Sequence, residues 1–316
     1  MNEGLKVLNG QSASGFDALK TDIANLLWYR IPTNIDSTIT STLISQANFI
    51  DYQLGDEIIN TLQTSSCRAG KPDDISSLYF VCQGQVRLLC SRAQQLRPIT
   101  AQVVSAGETF GADSYFIGGA PAYRAVAASQ VTIAQLPLAE LDDLLQTCSP
   151  LKQQWAKEAQ QREQLIFFRT MTPLGAIPAH QLRAWVPYLE ERRIEAGTHI
   201  YFCEETSSEI GRFWIKQGEI ETGPAQVLGS GTSWGYPDRT PTQWVARTPL
   251  TVYCLPKSAW EVSKTLLPEL ETQIAPGAVG DRNGHTGTFS AAGNFGAADT
   301  HRKNGELLTA TGDGAP

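Results

Sequence analysis

Residues 107–127 read GETFGADSYFIGGAPAYRAVA, a glycine-punctuated stretch in which Arg124 is the only cation. Glycine turns can bring main-chain N–H groups against an oxyanion, and an arginine can fork hydrogen bonds onto it, so these residue types suit a phosphate. A plainer reading stands beside that one. Adjacent glycines such as Gly118 and Gly119 usually make only a turn. Arg124 would then be a solvated strand-edge arginine or the partner of Asp113.

Other chemistries find little support. The six cysteines, Cys67, Cys82, Cys90, Cys148, Cys203 and Cys254, include no C-x-x-C pair, and the four histidines, His180, His199, His285 and His301, form no H-x-H or H-x-x-x-H cluster. No metal site is therefore expected, and the thiols are read as reduced and buried. No nucleophile elbow, histidine cluster or carboxylate pair stands out, so no catalytic residue is assigned and the chain is read as a non-enzyme. The formal net charge of −7 gives no basic field for nucleic acid. The first twenty residues lack a charged-then-apolar leader pattern and no apolar run is long enough to span a bilayer, so a cytoplasmic location is expected.

An internal repeat organises the chain. Leu54–Ile59 aligns with Ala196–Tyr201, Tyr79–Val86 with Phe213–Ile220, and Val126–Pro137 with Val245–Pro256, in the same order and without gaps inside each block. The Gln83-Gly84 and Gln217-Gly218 pairs between β-rich runs read as hairpin turns. The runs are short, β-branched or aromatic, and broken by Gly, Asp or Pro. Helical patterns flank them: Ile39, Leu43, Ile44 and Ala47 before the first copy, 178–189 before the second, and Ser258 to Ile274 after it. The segment from Leu138 to about Thr170 is amphipathic, with Pro150 starting a new helix. The fold class expected is mainly β with flanking helices (α+β): two antiparallel β-roll or jelly-roll domains, each with N- and C-terminal helices.

This order of helix, β-roll with G-x-x-[FW]-G in its later half, Leu-Pro and helix resembles the cyclic nucleotide-binding domain family, in two copies over roughly residues 32 to 274. The first copy carries Gly107 to Gly111, Gly118-Gly119 and the strand pair ending at Pro137; the second keeps Gly231 to Gly235 and Leu255-Pro256. The resemblance implies a phosphate-binding cassette after Phe110-Gly111, with a glutamate for the ribose hydroxyl and an arginine for the cyclic phosphate. This chain departs at both positions. Ala112 stands where the glutamate belongs, with Asp113 one residue later, and the arginine position falls near Pro121 or Ala122, leaving Arg124 two or three residues downstream. Each missing charged contact would forfeit about 1.5–3 kcal/mol. The residues that could still line a cassette are Phe110, Gly111, Asp113, Ser114, Gly118, Gly119 and Arg124.

The second copy departs further. Nine residues separate Gly235 from Val245, against fourteen between Gly111 and Val126, and Tyr236 takes the glutamate position while Gln243 aligns with Arg124. The expected organisation is a helical lead at 1–31, a first domain at 32–170 with its C-terminal helices, a second at 171–275, and a disordered tail or linker at 276–316, poor in large apolar side chains. An insertion at 60–74 lengthens the first copy. No helix-turn-helix with a basic face follows residue 274, which disfavours DNA binding. The resulting expectation is a regulatory or protein-interaction module without standard nucleotide binding and without a cofactor. The alternative is a cAMP- or cGMP-type sensor working through the first cassette. A protein partner is expected, with association with a membrane transporter and a homodimer through 138–170 as further options.

Overall fold

The structure, a computed structural model, describes residues 37–62, 77–92, 97–118, 121–200, 210–223, 226–238 and 244–274. The expected lead at 1–31 and tail at 276–316, and most of the insertion at 60–74, lie outside the described residues.

Helix α1 (Ser37–Gln46) precedes β1 (Asn48–Tyr52), β2 (Glu57–Asn60), β3 (Ser77–Gln83), β4 (Gln85–Cys90), β5 (Ile99–Ser105) and β6 (Thr109–Phe110). A single turn, α2 (Asp113–Phe116), leads to β7 (Arg124–Ala127), β8 (Val131–Pro137), α3 (Leu138–Thr147) and α4 (Ser149–Met171). After a 3-10 turn at Pro173–Ala176 the plan recurs: α5 (Ala179–Trp185), β9 (Glu190–Ile194), β10 (His199–Ile200), β11 (Gly211–Gln217), β12 (Ile220–Gly223), β13 (Gln226–Leu228), β14 (Ser233–Gly235), β15 (Trp244–Ala246), β16 (Leu250–Pro256), α6 (Trp260–Leu266) and α7 (Leu270–Ile274).

The strands form four antiparallel sheets, and the second pair repeats the first strand for strand. The order β1-β8-β3-β6 recurs as β9-β16-β11-β14, and β2-β7-β4-β5 recurs as β10-β15-β12-β13. The Gln-Gly turns fall where the repeat places them, with Gly84 at φ 83° and Gly218 at φ 98°. Strand β3 is buried on both faces, which is why it reads as a continuous apolar run. Tyr79 and Val81 join the interior of the first roll, while Leu78, Phe80 and Cys82 meet α1, α3 and the start of α4. Strand β16 does the same in the second roll: Leu250 and Val252 point inward, Tyr253 and Leu255 outward against helices.

Helix α4 runs about 34 Å at 1.5 Å per residue and serves both rolls. Leu151 and Trp155 pack beneath the first, Ile166 enters its interior, and Leu165, Phe167 and Phe168 join Trp185, Trp214, Tyr253 and Trp260 in the core of the second. Phe168 sits edge-on to both Trp185 and Trp214, at 5.0 and 5.3 Å between ring centroids. Glu163 of α4 also binds Lys216 of β11 at 2.9 Å, and Glu191 of β9 holds the same ammonium at 2.8 Å. The segment 138–170, named above as an option for a homodimer contact, packs within the chain. Pro150 starts a separate helix, and the apolar stripe is used inside the chain because each sheet pair leaves an outer apolar face that α4 must cover.

Among the described residues no helix is long and apolar enough to cross a membrane. Cys82, Cys90, Cys148 and Cys254 are free and buried. Burial pushes the Cys82 and Cys90 thiols up to about 12 and the Cys254 thiol up to about 11. The folded chain should therefore protect these thiols from a thiolate-selective reagent at pH 8, and peptide mapping should show them labelled only after denaturation.

The F-G and W-G motifs have one structural cause. Phe110 pairs with Tyr79 across β6 and β3 and stacks on it at 5.2 Å; Trp234 pairs with Phe213 across β14 and β11 and stacks at 5.3 Å. The following glycine leaves room for the partner strand: a Cβ on Gly111, at φ 101°, would strike the Tyr79 ring and come within 2.9 Å of the Ser77 carbonyl. Gly111→Ala and Gly235→Ala should each destabilise the chain by about 2 kcal/mol or more, read as a lower urea midpoint.

Candidate functional site

The loop after Phe110 is organised by a buried arginine. Asp113 opens α2 and is 2% exposed, and Arg162, from the middle of α4, is 3% exposed. Arg162 Nη1 donates to Asp113 Oδ1, and Nη2 donates to the Thr109 carbonyl. The second Asp113 oxygen accepts from the Tyr123 hydroxyl at 2.5 Å, which in turn accepts from the Gly111 N–H at 2.9 Å. One carboxylate, one guanidinium and one phenol thus bind one another where the chain passes from β6 to β7, with Arg162 Nε buried and unpaired.

The electrostatics follow from burial. Desolvation works against the Arg162 charge, but the carboxylates, Asp113 foremost and Glu158 after it, more than restore it, and its pKa lies above the usual arginine value. Burial and then the Asp113 charge push the Tyr123 phenol well above its ordinary range, so it stays a neutral donor. Further contacts fasten the same loop to helices. Thr109 donates to Glu158 Oε2 of α4 through its N–H at 3.2 Å and its hydroxyl at 2.7 Å. Glu108 takes the Ser105 N–H at 2.8 Å and an ion pair from Arg183 of α5.

The cassette residues named from sequence separate in space. Phe110 is part of the core, Gly111 supplies its N–H to Tyr123, and Asp113 faces inward onto Arg162. Ser114 and Gly118 are exposed, and Gly119 lies outside the described residues. Arg124 is the first residue of β7, opposite Asn60 of β2 and Leu89 of β4. Its partner is Glu57, with Nε 3.6 Å from Oε2 and both side chains partly in solvent, so the suggested Arg124–Asp113 pair is replaced by two separate pairs. The reason is reach across the sheet: β2 runs beside β7, whereas Asp113 sits under α4.

Sequence reasoning missed Arg162, Tyr123 and Glu158. One signal was present. Trp155, Ala159, Arg162 and Ile166 lie along one buried stripe of α4, so Arg162 is a charged residue at a core position. Among the described residues no group of three or more His, Cys, Asp or Glu side chains is placed to hold a metal ion.

The second roll reaches a related arrangement with different residues. Arg212 of β11, also 3% exposed, donates to Asp238 Oδ2 at 2.6 Å, to Ser233 Oγ at 2.9 Å and to the carbonyl of Ile274 at the end of α7 at 3.0 Å. Tyr236 packs edge-on against Trp260 at 5.2 Å. Arg239 and Gln243, which the sequence placed in this loop, lie outside the described residues.

Residues 65–148, which hold this loop, match the family model described as a cyclic nucleotide-binding domain. None of the curated proteins matches the chain. Similar solved structures include the regulatory domain of Toxoplasma gondii PKA with cAMP, at 14% identity and TM-score 0.34 over 83% of this chain and 98% of that one. The regulatory subunit of a cAMP-independent protein kinase A from Trypanosoma brucei gives 14%, 0.34, 83% and 90%. A cyclic nucleotide-binding domain from Methylobacillus flagellatus gives 19% and 0.35 over 46% of this chain and 76% of that one. Identities and scores this low carry nothing about ligand or mechanism over to this chain.

Removing one partner of the buried pair should be costly. Asp113→Ala strands a charged guanidinium in the core and should cost about 3–5 kcal/mol. The double variant Asp113→Leu with Arg162→Leu should recover much of that loss, measured by urea denaturation. A single variant as stable as the parent would contradict the buried ion pair.

Proposed function

We propose that the chain is a regulatory or protein-interaction module, acting among cytoplasmic proteins, in which the first roll's cassette has been turned into an internal joint. The observation that carries this reading is the fate of the two charges closest to those a cyclic nucleotide would need. The Asp113 carboxylate is consumed by Arg162 and Tyr123, and Arg124 stands at a sheet edge beside Glu57. A ligand would have to displace a buried, fully charged pair before meeting either oxygen of Asp113, against an unfavourable balance of several kcal/mol.

Arg124 favours a second reading, a nucleotide sensor working through the first roll. Its pair with Glu57 is long, at 3.6 Å, and partly in solvent, so the guanidinium can be exchanged to another anion at little loss. Calorimetry with cAMP, cGMP and cyclic dinucleotides separates the two. The module predicts no saturable heat at high micromolar ligand. Saturable binding abolished by Arg124→Ala would establish the sensor instead. For the module itself, affinity capture with the intact chain and with a chain lacking 276–316 should retain the same protein partner in at least one form; retention of none in either would count against it.

A further inference from the structure

Between Asp74 and Glu108 the chain has no acidic residue, and its only charges there are Arg87, Arg92 and Arg97, although the whole carries −7. This stretch contains the β4–β5 hairpin. Its register sets Cys90 opposite Ile99, and Arg92 and Arg97 each stand two residues beyond that last pair. Arg169, in the last turn of α4, meets the same place from below. Its Nη1 donates to the carbonyls of Gly175 and Ile177 at 2.8 and 2.6 Å, and its Nη2 to the carbonyl of Thr100 at 3.1 Å. Arg92 leans on the same 3-10 turn: Nη2 donates to the Thr172 carbonyl at 3.5 Å, and Nη1 lies 3.4 Å from the point a Cβ on Gly175 would occupy.

No carboxylate among the described residues pairs with Arg92, Arg97 or Arg169. Main-chain carbonyls orient these guanidinium groups but bring only partial charge to a like-charged cluster. The strain is visible at Arg169, where burial first and the Arg92 charge second pull the pKa below its usual value. Of the five N–H donors a guanidinium offers, Arg92 makes one long bond, and it is half-buried, as is Arg169, whereas Arg97 is exposed. Donors remain for a ligand arriving from solvent.

We propose that Arg92, Arg97 and Arg169 form an oxyanion-binding site at the turn end of the β4–β5 hairpin, taking a phosphate or carboxylate group. A forked guanidinium pair suits the planar or tetrahedral oxygens of either. The site does not rest on the nucleotide question, since none of its residues belongs to the loop after Phe110. It would give an interaction module a defined contact for an acidic partner, or give the chain a response to free phosphate.

The experiment is titration of the full chain at constant ionic strength with inorganic phosphate and, separately, with a short glutamate-rich peptide, each followed by calorimetry. Saturable binding of at least one probe is expected, weakened about tenfold or more by Arg92→Gln and by Arg97→Ala, as loss of one charge-assisted contact implies, and unchanged by Arg247→Ala. Saturation by phosphate alone identifies a small free anion, and saturation by the peptide a carboxylate-bearing partner. No saturation by either probe, or equal affinity in the parent and both hairpin variants, would overturn the site.

Discussion

A charged guanidinium in a protein interior must be answered by a full negative charge, and Arg162 imposes that requirement on everything around it. Its answer is Asp113, and holding Asp113 in reach sets the path of the chain from β6 into α2. Tyr123 is drawn in by the remaining carboxylate oxygen, and the Gly111 N–H is drawn in by Tyr123. The same helix fixes Thr109 through Glu158, and the same loop grips α5 through Glu108 and Arg183. Thus one buried pair sets the position of a surface loop against a long helix, and through it the approach to the second roll.

The glycine-aromatic motif has a separate cause. An aromatic on the short strand stacks on an aromatic of its neighbour, and the next residue must leave space for that neighbour's backbone and ring. This applies equally to Phe110-Gly111 on Tyr79 and to Trp234-Gly235 on Phe213. The motif is therefore accounted for in both rolls without a ligand, because the stack and the space do not depend on one. Residues past the glycine are under no such restraint, which is why the two copies differ there in length, in charge and in how the buried arginine is supplied: from a helix in the first, from a strand in the second.

Much of the architecture was legible from local pattern. The Gln-Gly turns, the helix starting near Pro150 and the duplicated strand order all appear where sequence spacing puts them, since turn chemistry and periodicity act over a few residues. The candidate site was legible only as a frame. Arg124 opens a strand, but its partner Glu57 comes from β2, and the partner of Asp113 comes from α4. Pairings across that much chain depend on which helix covers which sheet, and short-range pattern does not encode it. The arginine on the apolar stripe of α4 was the one trace of the pairing, and a charge among Trp155, Ala159 and Ile166 states the need for a buried anion without saying where it is.

Helix α4 has a consequence for how the chain can come apart. Its first half closes the core of one roll and its last turns supply Leu165, Phe167 and Phe168 to the other. A cut placed after the helix would leave one fragment with a bared aromatic face and the other with a hollow among Trp185, Trp214 and Tyr253. The unit that folds is then larger than the unit that repeats: the duplicated sheets keep separate interiors but share one helix, and a disturbance that loosens one roll is felt as lost packing in its neighbour.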